Sequence, residues 1–313
     1  MKKVAWFTEG AWTGQTPRDH ENMRNDSAWM HMFNATHYPI WNVHQIQKKY
    51  DLGIVTLPKS NIDKLSQYPL IESLRKCCDK IAYMQEGPHW YFQDYALDQQ
   101  CWFYNTLSEM DFLFVHNEID RQYFQGLIGK ECRLMPTLMI EDLIKDLPNV
   151  ERSGVMMGGN FCHWYGGFDS YIVAQEFGTD VCVPSMGRKI DGEEQMENLT
   201  HLSYMNWLEW MRELNKYKYG VHLMRTHAAG TFALNCSYLG IPCIGYEGLD
   251  TQMVLHPDLT VPVGDITAAK KLAEKLRNDE NFYLYCIEVT KMLYNEHYTE
   301  KEFIKRMKKY DTN

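Results

Sequence analysis

Residues 221–246 read VHLMRTHAAGTFALNCSYLGIPCIGY, and the order of residue types within them spells strand, tight turn, helix, strand. An apolar run ends at Arg225, the small residues Ala228, Ala229 and Gly230 permit a sharp turn, and 231–239 suit a helix. Gly240 stops that helix before Pro242 and a second apolar run. A helix that begins on such a turn aims its first N–H groups and the positive end of its dipole at whatever lies above Gly230, which favours phosphate or carboxylate. Arg225 and His227 stand before the turn, Thr231 opens the helix and Asn235 follows one to two turns along. Two basic side chains, a set of amides and a neutral polar group suit a nucleotide diphosphate.

The flanking sequence alternates strands with helices, the mark of parallel sheets joined by crossover helices. Residues 3–8 (KVAWFT) predict the first strand, and the loop after it carries Gly10, Trp12 and Gly14, able to make backbone and stacking contacts with a bound ligand. Strands are expected at 52–57, 80–84, 110–116 and 132–136, with helices at 62–78, 118–127 and 140–147. After 80–84 comes Gln85-Glu86-Gly87-Pro88-His89, a loop because Pro88 forbids continuation of the strand and Gly87 permits a tight turn. A carboxylate and an imidazole at a sheet edge offer one group to take a proton from a hydroxyl and another to orient a ligand. Asp19, His20 and Glu21 read as a solvated face. Pro148 and Asn149 mark a linker, giving a domain at 1–149, a second at 150–296 and a helical tail at 297–313.

In the second domain a strand at 154–157 leads into Gly158, Gly159 and Asn160, a loop able to approach a phosphate closely, and then a helix at 167–177. A strand at 179–184 ends in SMGRKIDGEE, where Arg188 and Lys189 behind Gly187 are candidate diphosphate ligands. Further strands are expected at 199–204 and 259–263, with helices at 207–216 and from Thr267, Asn281 and Thr299. Trp207, Trp210, Met211 and Leu214 share one helical face and read as core.

Composition sets bounds on function. The 313 residues allow two α/β domains, and 45% hydrophobic with 23% charged residues describe a globular chain. A net charge of −9 opposes a broad electrostatic grip on nucleic acid. Nine cysteines show no C-x-x-C pair and no metal spacing, the usage expected of reduced, buried thiols in the cytoplasm. No secretory leader is expected, since the opening lysines run straight into VAWFT, and no apolar run approaches the ~20 residues of a membrane span.

His227, Gly230, Asn235, Gly240 and Pro242 fall on the spacing of the donor-site signature of GT-B glycosyltransferases, which the segment resembles; Asp250, Thr251 and Gln252 stand where that signature closes with an acid and a glutamine. The GGNF at 158–161 and the LDTQ at 249–252 are also similar to segments of phage DNA β-glucosyltransferases, in which an acidic base stands one position from Glu86. The resemblance implies two Rossmann-like domains facing each other across a cleft, with the C-terminal helix returning to the N-terminal domain. It implies transfer of a sugar from a nucleotide-diphosphate donor, most readily UDP-linked, to an acceptor hydroxyl without a metal or other cofactor. Arg188, Lys189, Arg225, His227, Gly230 and Thr231 would neutralise the diphosphate, Asn235 would hold ribose, and Asp250 or Gln252 a sugar hydroxyl. Glu86 would be the base of an inverting enzyme, and His89 would position the sugar in a retaining one. Asn235 departs from the acidic residue usual in retaining members, which leaves donor and stereochemistry open. The acceptor, a hydroxymethylated base in DNA or a glycan among others, and the oligomeric state stay open too. A UDP-sugar epimerase of the same fold and a two-lobed small-ligand binding protein are the rival readings.

Overall fold

Four consecutive residues of β1 (Val4–Thr8), from Val4 to Phe7, are buried, the pattern of a strand covered on both faces. A computed structural model describes residues 2–59, 61–186, 189–196 and 198–310. Among these, α1 (Asp26–Met32), β2 (Thr36–Pro39), β3 (Tyr50–Val55), α2 (Ile62–Ser66), α3 (Leu70–Cys77) and β4 (Cys78–Met84) follow β1. Then come α4 (Leu97–Ser108), β5 (Phe112–Val115), α5 (Glu118–Ile128) and β6 (Cys132–Leu134). All six strands pair in parallel in the order β2-β1-β3-β4-β5-β6. The strand order reverses at β1, so β1 and β3 form the switch point beyond whose carboxyl ends a doubly wound sheet opens a crevice. Phe7, Val55, Leu74, Ile81, Leu113 and Phe124 are buried together in this domain's core.

The single helix expected at 62–78 is two helices, because Pro69 has no N–H to give and stands immediately before α3. The helix expected at 140–147 shrinks to a 3-10 turn at Glu141–Leu143. Strand β2 and helix α4 carried no expectation.

The second sheet is built from β7 (Val155–Met157), α6 (Gly167–Ala174), β8 (Val181–Val183), β9 (Leu199–His201), α7 (Trp207–Leu214) and β10 (Tyr219–His222). It continues through α8 (Thr231–Leu239), β11 (Cys243–Tyr246), α9 (Asp250–Leu255) and β12 (Thr260–Val261). Three helices end the described chain: α10 (Ile266–Asn278), α11 (Glu280–His297) and α12 (Glu300–Lys308). The strands are again parallel, in the order β12-β11-β10-β7-β8-β9. Counted from β7 as the first strand, this is the dinucleotide-binding order, whose switch point falls between β7 and β10. Helix α8 lies close on the sheet: seven of its nine residues are buried, and a Cβ added at Gly220 would stand 3.1 Å from Cys236 Sγ. Of the four residues expected to share the core face of α7, Trp207, Met211 and Leu214 are buried and Trp210 is half-buried.

The chain thus forms two Rossmann-like domains. Among the described residues, one compact unit takes in 2–20, 24–136 and Tyr310; the other takes in 21–23 and 137–309. Pro148 belongs to the second, where its carbonyl accepts from Asn215 Nδ2 at 2.8 Å. Tyr310 belongs to the first, where its phenol oxygen accepts the Leu134 amide at 3.1 Å. None of the nine cysteines is joined in a disulfide, and eight are buried. No helix among the described residues is long and apolar enough to cross a membrane.

Candidate functional site

Beyond the carboxyl end of β10 the chain enters α8 through Gly230, whose φ is +69°. Glycine is required there twice over, by the left-handed backbone and by space, since an added Cβ would lie 2.0 Å from Thr251 Oγ1. That hydroxyl donates to the Gly230 carbonyl at 2.8 Å and ties the start of α9 to the start of α8. Gly230 brings no capping side chain, and no acidic residue stands in the first turn. The positive end of the α8 dipole therefore meets no carboxylate from its own helix.

Arg225 is fixed ahead of this turn. Its Nη2 donates to Asp169 Oδ2 at 2.9 Å, and the same oxygen accepts the Tyr246 hydroxyl at 2.9 Å. Asp169 pushes the guanidinium further above its ordinary range, while 59% of the side chain remains exposed. The charge is permanent, placed and accessible. The His227 ring lies on the backbone of Gly248, where an added Cβ would come within 2.1 Å of Nε2. Asn235, about 6 Å further along the helix axis than Thr231, is only 2% exposed, and its Oδ1 has no hydrogen-bond partner. His222, at the end of β10, is also buried with neither ring nitrogen partnered, and burial pushes its pKa down to about 4. Two unanswered polar side chains in this corner point to groups that arrive with a ligand or with water.

The loop of Gly158, Gly159 and Asn160 leaves β7, which neighbours β10 at the switch point. Its glycines answer to the protein's own side chains: an added Cβ at 158 would meet His222 Cγ at 2.3 Å, and one at 159 would meet Tyr165 Cβ at 2.6 Å. Asn160 is buried, and its Oδ1 accepts the Cys162 amide at 3.2 Å, so it braces the loop from within rather than presenting itself to a phosphate. Lys189 is exposed and its ammonium is paired with Glu194. Arg188 lies outside the described residues. Gln252 is buried, donates to the Cys243 carbonyl at 3.0 Å and fills the space above Gly245. It fastens α9 to β11, while Asp250, at the start of α9, is half-exposed.

Arg225, His227, Gly230, Thr231, Asn235 and Asp250 are thus the expected residues that gather where α8 and α9 begin. Asp169 and Tyr246 were not foreseen. The Asp169–Arg225 bond joins positions 56 apart in the chain, and no local spacing announces it.

In the first domain Glu86 and His89 follow β4. Glu86 is half-exposed, with Oε1 3.4 Å from Lys59 Nζ, and Lys59 also stands 4.9 Å from the centre of the Tyr91 ring. His89 Nδ1 lies 2.7 Å from Asp120 Oδ1. Asp120 is fully buried, and its other oxygen accepts from Gln85 Nε2 at 2.9 Å and Asn117 Nδ2 at 2.7 Å. Asn117 in turn caps α5 by accepting the Asp120 amide at 2.8 Å. A carboxylate on Nδ1 assigns the proton to that nitrogen and leaves Nε2 as the basic atom, the arrangement of an oriented general base. Glu86 and His89 border a small pocket walled by Tyr83, Tyr91, Tyr95 and Phe103. Gly10, after β1, donates its amide to Thr8 Oγ1 at 3.0 Å. Among the described residues no group of three or more His, Cys, Asp and Glu side chains could hold a metal ion.

A scan against protein-family models matches none, and a search of curated protein sequences finds no relative. Solved structures do match. HepE of Anabaena, solved with UDP-glucose, superposes with a TM-score of 0.71 over 100% of each chain at 8% identity. An α-glucosyltransferase solved with UDP and a 13-mer DNA containing an HMU base gives 0.62 over 100% of this chain and 99% of that one, at 11% identity. TarM of S. aureus, solved as a variant with UDP, gives 0.65 over 88% of this chain at 8% identity, and the present chain spans 58% of its length. At such identities the likeness is one of fold, and the fold is GT-B.

Proposed function

We propose that this chain is a glycosyltransferase that binds a UDP-linked sugar on its second domain and moves the sugar to an acceptor hydroxyl. The observation that carries the reading is the turn from Arg225 to Thr231, where an arginine fixed by Asp169 precedes a helix that starts on a left-handed glycine. Proteins of like fold were solved with UDP or UDP-glucose, which supports UDP as the nucleotide.

In the proposed reaction the bond from C1 of the sugar to the β-phosphate oxygen breaks, and its electron pair leaves on UDP. Arg225, His227 and the amides of Gly230 and Thr231 take up the charge that develops there, so no metal is required. Asn235 accepts from a ribose hydroxyl and Asp250 from a sugar hydroxyl. The acceptor oxygen forms the new bond to C1, and its proton passes to Nε2 of His89, whose imidazolium Asp120 stabilises. Glu86, paired with Lys59, binds an acceptor hydroxyl.

The test incubates the protein with UDP-glucose, UDP-galactose or UDP-N-acetylglucosamine, with and without EDTA, and follows both UDP release and the proton NMR spectrum of the sugar. Acceptor-dependent UDP release that survives EDTA is expected. An isomerised sugar from donor alone would instead make the chain an epimerase, and binding of no UDP species would sink both readings.

A further inference from the structure

Trp12 lies in the loop that follows β1, one of the two strands at the switch point of the first sheet, and it stays 41% exposed. It is nonetheless held. Its indole stacks on His37 with ring centres 4.0 Å apart and planes 24° from parallel. The His37 ring is pinned at both nitrogens, Nδ1 2.8 Å from the Trp12 carbonyl and Nε2 2.8 Å from Thr8 Oγ1. The two segments are also joined as an antiparallel bridge, with the Gly14 amide 3.1 Å from the His37 carbonyl and the His37 amide 2.7 Å from the Gly14 carbonyl. His37 is buried, and burial lowers its pKa, so the platform beneath the indole is a neutral ring at neutral pH.

A large aromatic face presented rigidly to solvent loses little freedom when a ligand covers it. The chemistry around it selects the ligand. Glu9, Thr13 and Gln15 are exposed beside Trp12, and Glu9 is the sole charged residue from Val4 to Pro17. Polar groups around an aromatic plate match the hydroxyls and C–H face of a sugar ring, whereas a polynucleotide needs cations for its phosphates. Distance sets the size. β1 and β4 lie on opposite sides of β3, so the Trp12 loop and the His89 loop leave the sheet roughly 10 Å apart, two strand spacings. One pyranose ring does not cover that gap.

We propose that Trp12 is the stacking platform for the acceptor, and that the acceptor is a neutral oligosaccharide of two or more rings. The proposal rests on the glycosyltransferase reading for its function, though not for its binding test. Protein labelled with 5-fluorotryptophan should give nine fluorine signals, one per tryptophan, and Trp12→Phe identifies the one that belongs to Trp12. Titration with cellobiose, maltose or N,N′-diacetylchitobiose should move that signal, while single- and double-stranded DNA 12-mers should leave it in place. In the transfer assay, Trp12→Ala should raise the acceptor KM about tenfold, with kcat and acceptor-independent hydrolysis of UDP-glucose unchanged and Trp12→Phe close to wild type. A Trp12 signal that no saccharide moves, or that DNA moves instead, overturns the platform. The fluorine measurement needs no turnover, so an inactive protein whose signal moves would cost the transferase reading and leave the saccharide site standing.

Discussion

A carboxylate taken wholly out of water has to be answered by donors, and Asp120 is answered by three: His89, Gln85 and Asn117. That much structure around one buried carboxyl group is what holds His89 in a single orientation. Replacing Asp120 with Asn removes the charge that stabilises the imidazolium, and turnover should fall about 100-fold or more with the KM for the donor unchanged, read from initial rates. Arg225→Ala should weaken UDP binding roughly 10- to 100-fold, the worth of a charge-assisted bond, measured by calorimetry. These two residues mark the limit of what the chain reveals at this scale. Arg225 stands a few residues from the helix it serves and is visible in the sequence. Asp120 and Asp169 act across the fold, on His89 and Arg225, and nothing in their neighbours distinguishes them from solvated helix carboxylates. Gln252 shows the converse. It matches a motif position, yet its amide is used within the protein.

Helix α8 owes both of its ends to glycine. Gly230 and Gly240 have φ of +69° and +68°, and the residues between them are helical as their sequence predicts. A methyl group at 230 would be strained by the backbone and would meet Thr251 Oγ1 at 2.0 Å. Gly230→Ala should therefore destabilise the protein by about 1–3 kcal/mol in urea denaturation. Gly126, inside α5 with nothing within 4 Å of an added Cβ, is the control. Gly126→Ala should stabilise by about 0.5–1 kcal/mol, since the helix is kept and the unfolded chain loses freedom. Elements bounded by strong punctuation were legible in this way. Pro69 was visible too, but the apolar rhythm on either side of it concealed the break between α2 and α3. Strand β2 has four residues of alternating burial, ending in Pro39, too short to stand out. Helix α4 opens on a Leu97 that is 74% exposed and buries only Phe103, Thr106 and Leu107, so its helical stripe is thin.

At the scale of the whole molecule, two buried histidines couple folding to pH. His256 Nε2 lies 3.0 Å from the Ala233 carbonyl and Nδ1 3.3 Å from Thr290 Oγ1, linking α8, α9 and α11. Burial holds both His256 and His222 near a pKa of about 4, below the ordinary value of 6.5. The unfolded chain therefore binds protons that the folded chain refuses. Stability from these groups is present above pH 6.5 and is lost as pH falls towards 4, by up to about 3 kcal/mol for each. Urea midpoints should decline across that interval, and His256→Gln should flatten the decline whatever it does at neutral pH. The alternation of strands and helices along the chain predicted two parallel sheets. It did not give their strand orders, which depend on where each crossover returns and which place the switch points at β1/β3 and β7/β10.

The most direct test is a crystal structure of the chain with UDP. The diphosphate is expected within hydrogen-bonding distance of the Thr231 amide and the Arg225 guanidinium, with ribose against Asn235. A diphosphate seated elsewhere, with the turn before α8 empty, would contradict the assignment of that turn as the anion site.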